Sequence, residues 1–488
     1  MSVAEFATTR SPFLLYSLLL SLVAGLLAVQ PGYLGLSVLL TFGVAVIAIT
    51  RLTFEGSLLT LVWVLSFVHL LKRAIFLFGD QDQYAYYAVL ILPTIVLTMT
   101  VILGLRRARG WSLPSGRAMF LFAGWSLVLT LVAPAIPVEA RLAAIHERLL
   151  PMAGFIVGLA IPIDSRLFGS FCKTIIWSAV VTVPYGLFQF FFGYTALERN
   201  WAVATGDYSV GASHISDSLY VAPVIGDART FSYFADSLTW GFLLSVAIVL
   251  VVCLDSRILS RGAKIFALSI LLLGAVAAGA RTPLIGVIAS VLAFYFLRWK
   301  AWRRPIAMLV GLALAFGLVV WAGSILYTRV FPALASTTEQ SSLTRRYLTV
   351  GTVEARIGAW DGLQDALAAH PVVGVGLAHS DYISQPEFSS ELGNFDSHNV
   401  AVDIVVTLGG VGLLVFVIFI FLLLRDGIRA YEASKHNRRT RLWLLAFVFG
   451  MLTTGFLNGP TFMTVYFFTL SGILVNPRDD SNVRDLTA

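Results

Sequence analysis

Apolar runs of about twenty residues, nearly free of charge, recur along this chain from one end to the other, and no other feature limits its fold so tightly. A run of that length, coiled as an α-helix, matches the hydrocarbon thickness of a bilayer. No water is present there to satisfy free amide and carbonyl groups, so the run must close its backbone hydrogen bonds on itself. Composition leads to the same place. The chain of 488 residues is 58% hydrophobic and 12% charged, about half the charge fraction of a soluble domain. Its length would suit about three soluble domains, but too little polar material exists to surface them. The expected fold class is all-α: a polytopic integral membrane protein with about 12–14 transmembrane helices.

Fourteen candidate spans can be marked: 13–30, 33–50, 55–71, 85–105, 118–135, 148–163, 170–191, 233–254, 263–279, 282–297, 305–326, 399–424, 442–457 and 460–476. The first follows Arg10 and has no small-residue cleavage site after it, so it reads as a retained helix. Segments 263–279 and 282–297 together exceed one crossing, and Arg281 with Pro283 interrupts them, which predicts a re-entrant turn at Arg281. Lysines and arginines then set orientation. Arg106, Arg107, Arg109 and Arg117 form one basic loop; Arg257, Arg261 and Lys264 a second; Arg298, Lys300, Arg303 and Arg304 a third. Arg425, Arg429, Lys435, Arg438, Arg439 and Arg441 form the fourth. Fourteen spans place all four on one side with both termini, which is therefore read as cytoplasmic. The same bias accounts for the net charge of +7, so nucleic acid is not expected as a partner. Lys72 and Arg73 break the rule and are expected to snorkel to an interface.

The resulting organisation has transmembrane helices at 1–192, an extracytoplasmic loop at 193–232, central helices at 233–326, a large loop with helices at 327–398, C-terminal helices at 399–476 and a polar cytoplasmic tail at 477–488. Connections are ordinarily short, so the two long loops mark the side where binding or catalysis is expected. The stretch 352–369 in the larger one has a helical pattern.

Few residues in this arrangement can carry chemistry. Arg281 lies between two apolar segments, in Gly279-Ala280-Arg281-Thr282-Pro283, where a cation either marks a functional site or snorkels to lipid headgroups. Pro283 suits the first turn of the next helix, whose N–H groups favour an anion. Arg229 ends the first long loop, and Arg356 shares a helix face with Trp360; each reads alone as a solvated charge. His398 and Asn399 open the span at 399–424, with Asp403 about one turn inside it. An imidazole there can take a proton from a hydroxyl near neutral pH or serve structure alone, and the buried carboxylate needs a partner or a neutral form. Three arginines, a histidine and an acid thus collect on one face. Guanidinium forks match phosphate oxygens, so a lipid-linked pyrophosphate would explain the cluster.

Other chemistries lack a signature. The chain has no P-loop, no dinucleotide-binding glycine motif and no H-E-x-x-H. Asp80-Gln81-Asp82 resembles a metal-binding D-x-D, but no α/β nucleotide-binding domain accompanies it, so neither metal nor cofactor is expected. Cys172 and Cys253 sit in apolar segments without metal-ligand spacing and read as inert.

Arg356-Ile357-Gly358-Ala359-Trp360, His370-Pro371, Gly374-Val375-Gly376, His398-Asn399 and Gly409-Gly410-Val411-Gly412 occur in that order. This order and spacing resemble the O-antigen ligase and polysaccharide polymerase superfamily over roughly residues 225 to 475. Gly279-Ala280-Arg281-Thr282 resembles that family's small-residue-then-arginine element, and Arg229-Thr230-Phe231 its arginine element before a span. The family often carries a glutamate where this chain has Thr407; Asp403 is the acid at hand on the same helix.

The resemblance implies a GT-C-like membrane enzyme of the bacterial inner membrane that transfers a glycan outside the cytoplasm, without metal. The implied donor is a glycan on undecaprenyl pyrophosphate. The acceptor is a second lipid-linked glycan in a polymerase of O-antigen or exopolysaccharide, or lipid A–core in a ligase. The implied roles are His398 as general base, Arg229, Arg281 and Arg356 as holders of the leaving pyrophosphate, and Asn399, Asp403 and Trp360 in support. Membrane lipids and a chain-length regulator protein are the implied further partners. A polymerase is favoured here because the chain is longer than expected of a ligase. A flippase for lipid-linked oligosaccharides is the rival outside this chemistry, and it would predict internal repeats and ionisable residues along several spans. A protein-directed oligosaccharyltransferase is a further rival.

Overall fold

The structure is a computed structural model. It describes residues 53–78, 83–132, 141, 144–163, 165–196, 198–199, 230–234, 237–256, 258–279, 281–299, 370–374, 376–377, 399–434, 436–458 and 463–478. The spans read at 13–30, 33–50 and 305–326, the D-x-D at 80–82, the helical pattern at 352–369 and the tail from 479 lie outside these residues.

Among the described residues every regular element is helical. In chain order they are α1 (Phe54–Phe78), α2 (Gln83–Leu105), α3 (Pro114–Val132), a short mixed turn, α4 (Gly154–Leu159), α5 (Arg166–Phe192), α6 (Ser237–Cys253), α7 (Arg261–Ala278), α8 (Arg281–Leu297), α9 (Val400–Ala433), α10 (Arg438–Asn458) and α11 (Val465–Val475). Four of them, α3, α5, α7 and α9, are both long and apolar enough to cross a membrane, and α6, α8 and α11 are shorter apolar helices. The chain is a polytopic membrane protein. Its lipid-side residues are themselves apolar: Leu121 and Val132 on α3, Phe192 on α5 and Leu414 on α9 are all exposed, as hydrocarbon solvent allows.

The helices alternate in direction, which gives the bundle two chemically different ends. Helices α3 and α9 run antiparallel: the Ser115 N–H donates to Asp426 at 3.0 Å, and Phe122 packs on Phe416 at 5.3 Å between ring centres. So do α8 and α10, with Phe294 stacked on Trp443 at 3.9 Å. Gly427 on α9 lies against Leu445 and Leu474, which brings the basic ends of α9, α10 and α11 together. Arg441 is buried there and donates to the carbonyl oxygens of Leu474 (2.6 Å) and Asn476 (2.9 Å). The Asn476 amide in turn donates to Leu159 and Ile161, both at 3.0 Å. One charge of the basic set is therefore an internal tie between α10, α11 and α4.

The span expected at 148–163 takes another form. Ile145–Leu149 winds as a π-turn, Leu150–Ala153 as a 3-10 turn carrying Pro151, and only Gly154–Leu159 is α-helical. It packs parallel to α11 at backbone distance: a Cβ on Gly158 would fall 2.0 Å from the Thr469 carbonyl, and one on Gly472 2.2 Å from that of Phe155. Small residues permit this approach between membrane helices.

Candidate functional site

At the end away from the basic loops, two helical paths are interrupted. The first interruption is the expected turn. Helix α7 stops at Ala278, Gly279 takes the left-handed conformation (φ 61°), and α8 starts at Arg281 with Pro283 in its first turn. Glycine enters that conformation without a Cβ penalty, and proline there removes an N–H that the helix leaves unpaired anyway. The turn lies within the bundle. The Ser245 hydroxyl, two turns into α6, donates to the Pro283 carbonyl at 2.9 Å. The Thr230 hydroxyl donates to the Ala277 carbonyl at 2.6 Å. Thr230, the residue after Arg229 in sequence, is thereby tied to the end of α7, ahead of the turn at Arg281.

Residues 230–234 are non-helical, with Thr230, Phe231, Ser232 and Phe234 buried, Tyr233 half-buried and Ser232 at φ 50°. Irregular backbone at membrane depth is tolerated only when protein satisfies it, and here a polar network does so. Gln189 on α5 accepts the N–H groups of Phe231 (3.1 Å) and Ser232 (2.8 Å), and its amide donates to Glu198. Arg73 on α1 donates to the Ser232 carbonyl at 3.1 Å and to that of Phe234, pairs with Glu198 at 3.8 Å, and lies over the Phe231 ring at 4.5 Å. Glu198 also accepts the N–H (2.8 Å) and hydroxyl (3.0 Å) of Thr195. The expected snorkelling of Arg73 is thus corrected: its side chain is 2% exposed, because a carboxylate and two carbonyls already supply what an interface would.

The second interruption lies in α9. Asn399 caps the helix, its side-chain oxygen accepting the N–H groups of Ala401 (2.9 Å) and Val402 (3.3 Å). This assigns the asparagine of the His-Asn pair a local job, the satisfaction of two orphan donors of a helix start. One turn further, Asp403 meets Arg148 of the π-turn, whose Nη1 donates at 3.1 and 3.4 Å to the two carboxylate oxygens. The Thr407 hydroxyl donates back to the Asp403 carbonyl at 2.6 Å.

At Gly409 (φ 72°, ψ −178°) the helical path breaks, freeing backbone groups that would pair four residues along. The loop containing His370-Pro371 and Gly374-Val375-Gly376 takes them up. The N–H groups of Gly410 and Val411 donate to the carbonyls of Pro371 (2.9 Å) and Val372 (3.3 Å), and the Thr407 carbonyl accepts from Gly376 at 2.8 Å. The indole of Trp125 on α3 donates to the Leu408 carbonyl at 3.1 Å.

The structure therefore brings the α8 start at Arg281, the segment following Arg229, Asn399 and Asp403 to one end of the bundle. His398, Arg229, Arg356 and Trp360 lie outside the described residues, as does the Arg281 side chain. The sequence reading passed over Arg148, Glu198 and Gln189. A signal existed for Arg148, as for Arg73: each is a cation on the side that positive-inside bias leaves sparse. Glu198 and Gln189 carried no pattern, because their partners are backbone groups and an arginine far away in sequence. Among the described residues no three His, Cys, Asp or Glu side chains gather as a metal site would require.

Residues 266–417 match the family model described as O-Antigen ligase, so the sequence resemblance to the O-antigen ligase and polymerase superfamily is borne out over that stretch. No curated protein matches the chain. The matched stretch runs from α7 to the middle of α9 and contains both interruptions, along with Arg281, Arg356, Trp360, His398, Asn399 and Asp403; Arg229 precedes it. It supports a membrane enzyme of the glycosyltransferase type, ligase or polymerase.

Proposed function

We propose that the chain polymerises oligosaccharide repeat units carried on undecaprenyl pyrophosphate, at the outer face of the bacterial inner membrane, with both termini in the cytoplasm. The observation carrying this reading is the coincidence of the family match with both interrupted helices, which lie toward the same end of the bundle. In the proposed reaction the acceptor hydroxyl attacks the anomeric carbon of the donor. His398 takes the hydroxyl proton, and the pyrophosphate departs between the guanidinium groups of Arg229, Arg281 and Arg356, which stabilise the charge it gains. Asn399 fixes the start of α9 directly after His398, and Asp403 with Arg148 ties its first turn to the neighbouring turn. Trp360 is assigned to sugar packing beside Arg356. No metal is assigned a role.

The matching O-Antigen ligase family favours a second reading, transfer of the glycan to lipid A–core by a ligase. Reconstituting the purified chain with a defined undecaprenyl-pyrophosphate repeat unit, without added metal, separates the two. Chain growth on the donor alone is expected for a polymerase; product only after lipid A–core is added would mean a ligase. The base assignment predicts a loss of roughly 10²-fold or more in His398→Ala, and full activity in that variant would remove it.

A further inference from the structure

We propose that Arg73, Glu198 and Gln189 are positioning residues: a buried polar latch that sets the separation of Arg229 and Arg281. The inference rests on the pyrophosphate-holding role assigned to those two arginines. The latch joins parts of the chain far apart in sequence. Arg73 comes from α1, Gln189 from the end of α5, and Glu198 from the start of the first long loop. Arg73 and Gln189 bond to 230–234, the end of that loop, and Glu198 holds both of them.

The hydrogen bonds fix this turn on every side. Arg73 holds the carbonyls of Ser232 and Phe234. Gln189 holds the N–H groups of Phe231 and Ser232. The Ser232 hydroxyl donates to the Thr182 carbonyl at 2.5 Å, and the Thr182 hydroxyl accepts from the Trp240 indole at 2.8 Å. Thr230 then reaches across to Ala277, four residues ahead of Arg281. Ser232 sits at φ 50°, a conformation that is strained for a residue other than glycine and lasts only where its surroundings impose it. Packing alone needs none of this. An apolar turn could cover α5 and α6 without bringing an arginine, a glutamate and a glutamine out of water. What the arrangement adds is a fixed position for Thr230, the residue to which Arg229 is joined by one peptide bond.

The test measures binding of undecaprenyl pyrophosphate, the proposed leaving group, to the full chain purified in lipid nanodiscs. The variants are Arg229→Ala, Gln189→Leu, Ser232→Gly and each latch change combined with Arg229→Ala. Ser232→Gly relieves the φ restriction, so a folded protein remains even if Gln189→Leu unfolds, and thermal melting reports which variants fold. Arg229→Ala is expected to weaken binding about tenfold, and each latch change about three- to tenfold, with no further loss in the combined variants, because the latch acts through Arg229. Losses that multiply in the combined variants, or latch changes that leave affinity intact, overturn the latch but not the proposed function. Unchanged affinity in Arg229→Ala overturns the arginine clamp, and the latch with it.

Discussion

Two interrupted helical paths lie at the same end of this molecule, and they are completed in opposite ways. At Gly409 the chain continues in the same helix, and the backbone groups exposed by the break are taken up by other backbone groups and one indole: Pro371, Val372, Gly376 and Trp125. At Gly279 the chain reverses, and the connections across the turn come from the hydroxyls of Thr230 and Ser245 to Ala277 and Pro283. The first break is filled by chain. The second is shaped by side chains and carries a cation as the first residue of the next helix. A break filled by backbone anchors a loop. A break that presents a helix start with an arginine suits an anion. Under the proposed function, Gly409 has mechanical work, holding residues 370–377 of the large loop against α9, and the turn at Arg281 has the chemical work.

The largest effect is expected at the filled break. A Cβ on Gly409 would lie 2.1 Å from the Val372 carbonyl, at φ 72°. Gly409→Ala should therefore destabilise by roughly 3 kcal/mol or more and abolish expression of folded protein. Gly410 provides the control, because its Cβ would stand 3.3 Å from the Pro371 carbonyl, a tight contact that a shift of a few tenths of an ångström relieves; Gly410→Ala should express and elute as wild type in size-exclusion chromatography. Equal behaviour of the two variants would mean that the break is not mechanically required.

The shaped break should respond in activity rather than stability. Arg281→Glu is expected to reduce donor turnover by roughly 10²- to 10³-fold, the size of losing one electrostatic contact to developing charge, while the melting temperature stays within a few degrees. Donor turnover near the wild-type level would return Arg281 to a lipid-facing role and erase the contrast between the two breaks.

One side of this contrast, the turn at Arg281, was legible in the sequence for a physical reason, whereas the break at Gly409 falls inside a span, 399–424, that reads as unbroken. Periodicity and hydropathy are local, so the spans 55–71, 85–105, 118–135, 170–191 and 233–254 each fall on a helix, and the turn at Arg281 follows from a stretch too long for one crossing. Glycine and proline are also local signals, and Gly279 and Pro283 mark the turn where they stand. The span at 148–163 was harder, because its π and 3-10 turns depend on close approach to α11, which no single segment encodes. Partners were hardest. The need of Asp403 for a partner could be read from its depth, but Arg148 lies 255 residues away, and only the fold joins them. Arg73 misled for the same reason: orientation rules treat a cation as facing water or headgroups, and this one faces Glu198.

A smaller effect is expected where the α9 start is tied to the π-turn. The Arg148–Asp403 pair is mostly covered, at 19% and 11% side-chain exposure. Removing one partner leaves a charge half-buried, so Arg148→Ala should cost about 1–3 kcal/mol, below the loss for a fully buried pair. Asp403→Asn in the Arg148→Ala background should restore part of that stability in thermal melts, because a neutral amide is less costly to cover than a carboxylate. If the double variant melts no higher than Arg148→Ala, the ion pair is not what holds the first turn of α9.

The mildest change is Trp125→Phe. It keeps an aromatic ring between α3 and α9 but removes the indole N–H that donates to the Leu408 carbonyl. The carbonyl sits beside the break at Gly409, and a net hydrogen bond of this kind contributes about 1 kcal/mol. The expected result is a loss of that order in detergent-induced unfolding, with donor turnover within about twofold of wild type. A loss several times larger would mean that the indole, rather than the loop 370–377, carries most of the closure at Gly409. A large fall in turnover with stability intact would mean that this break, too, belongs to the chemistry.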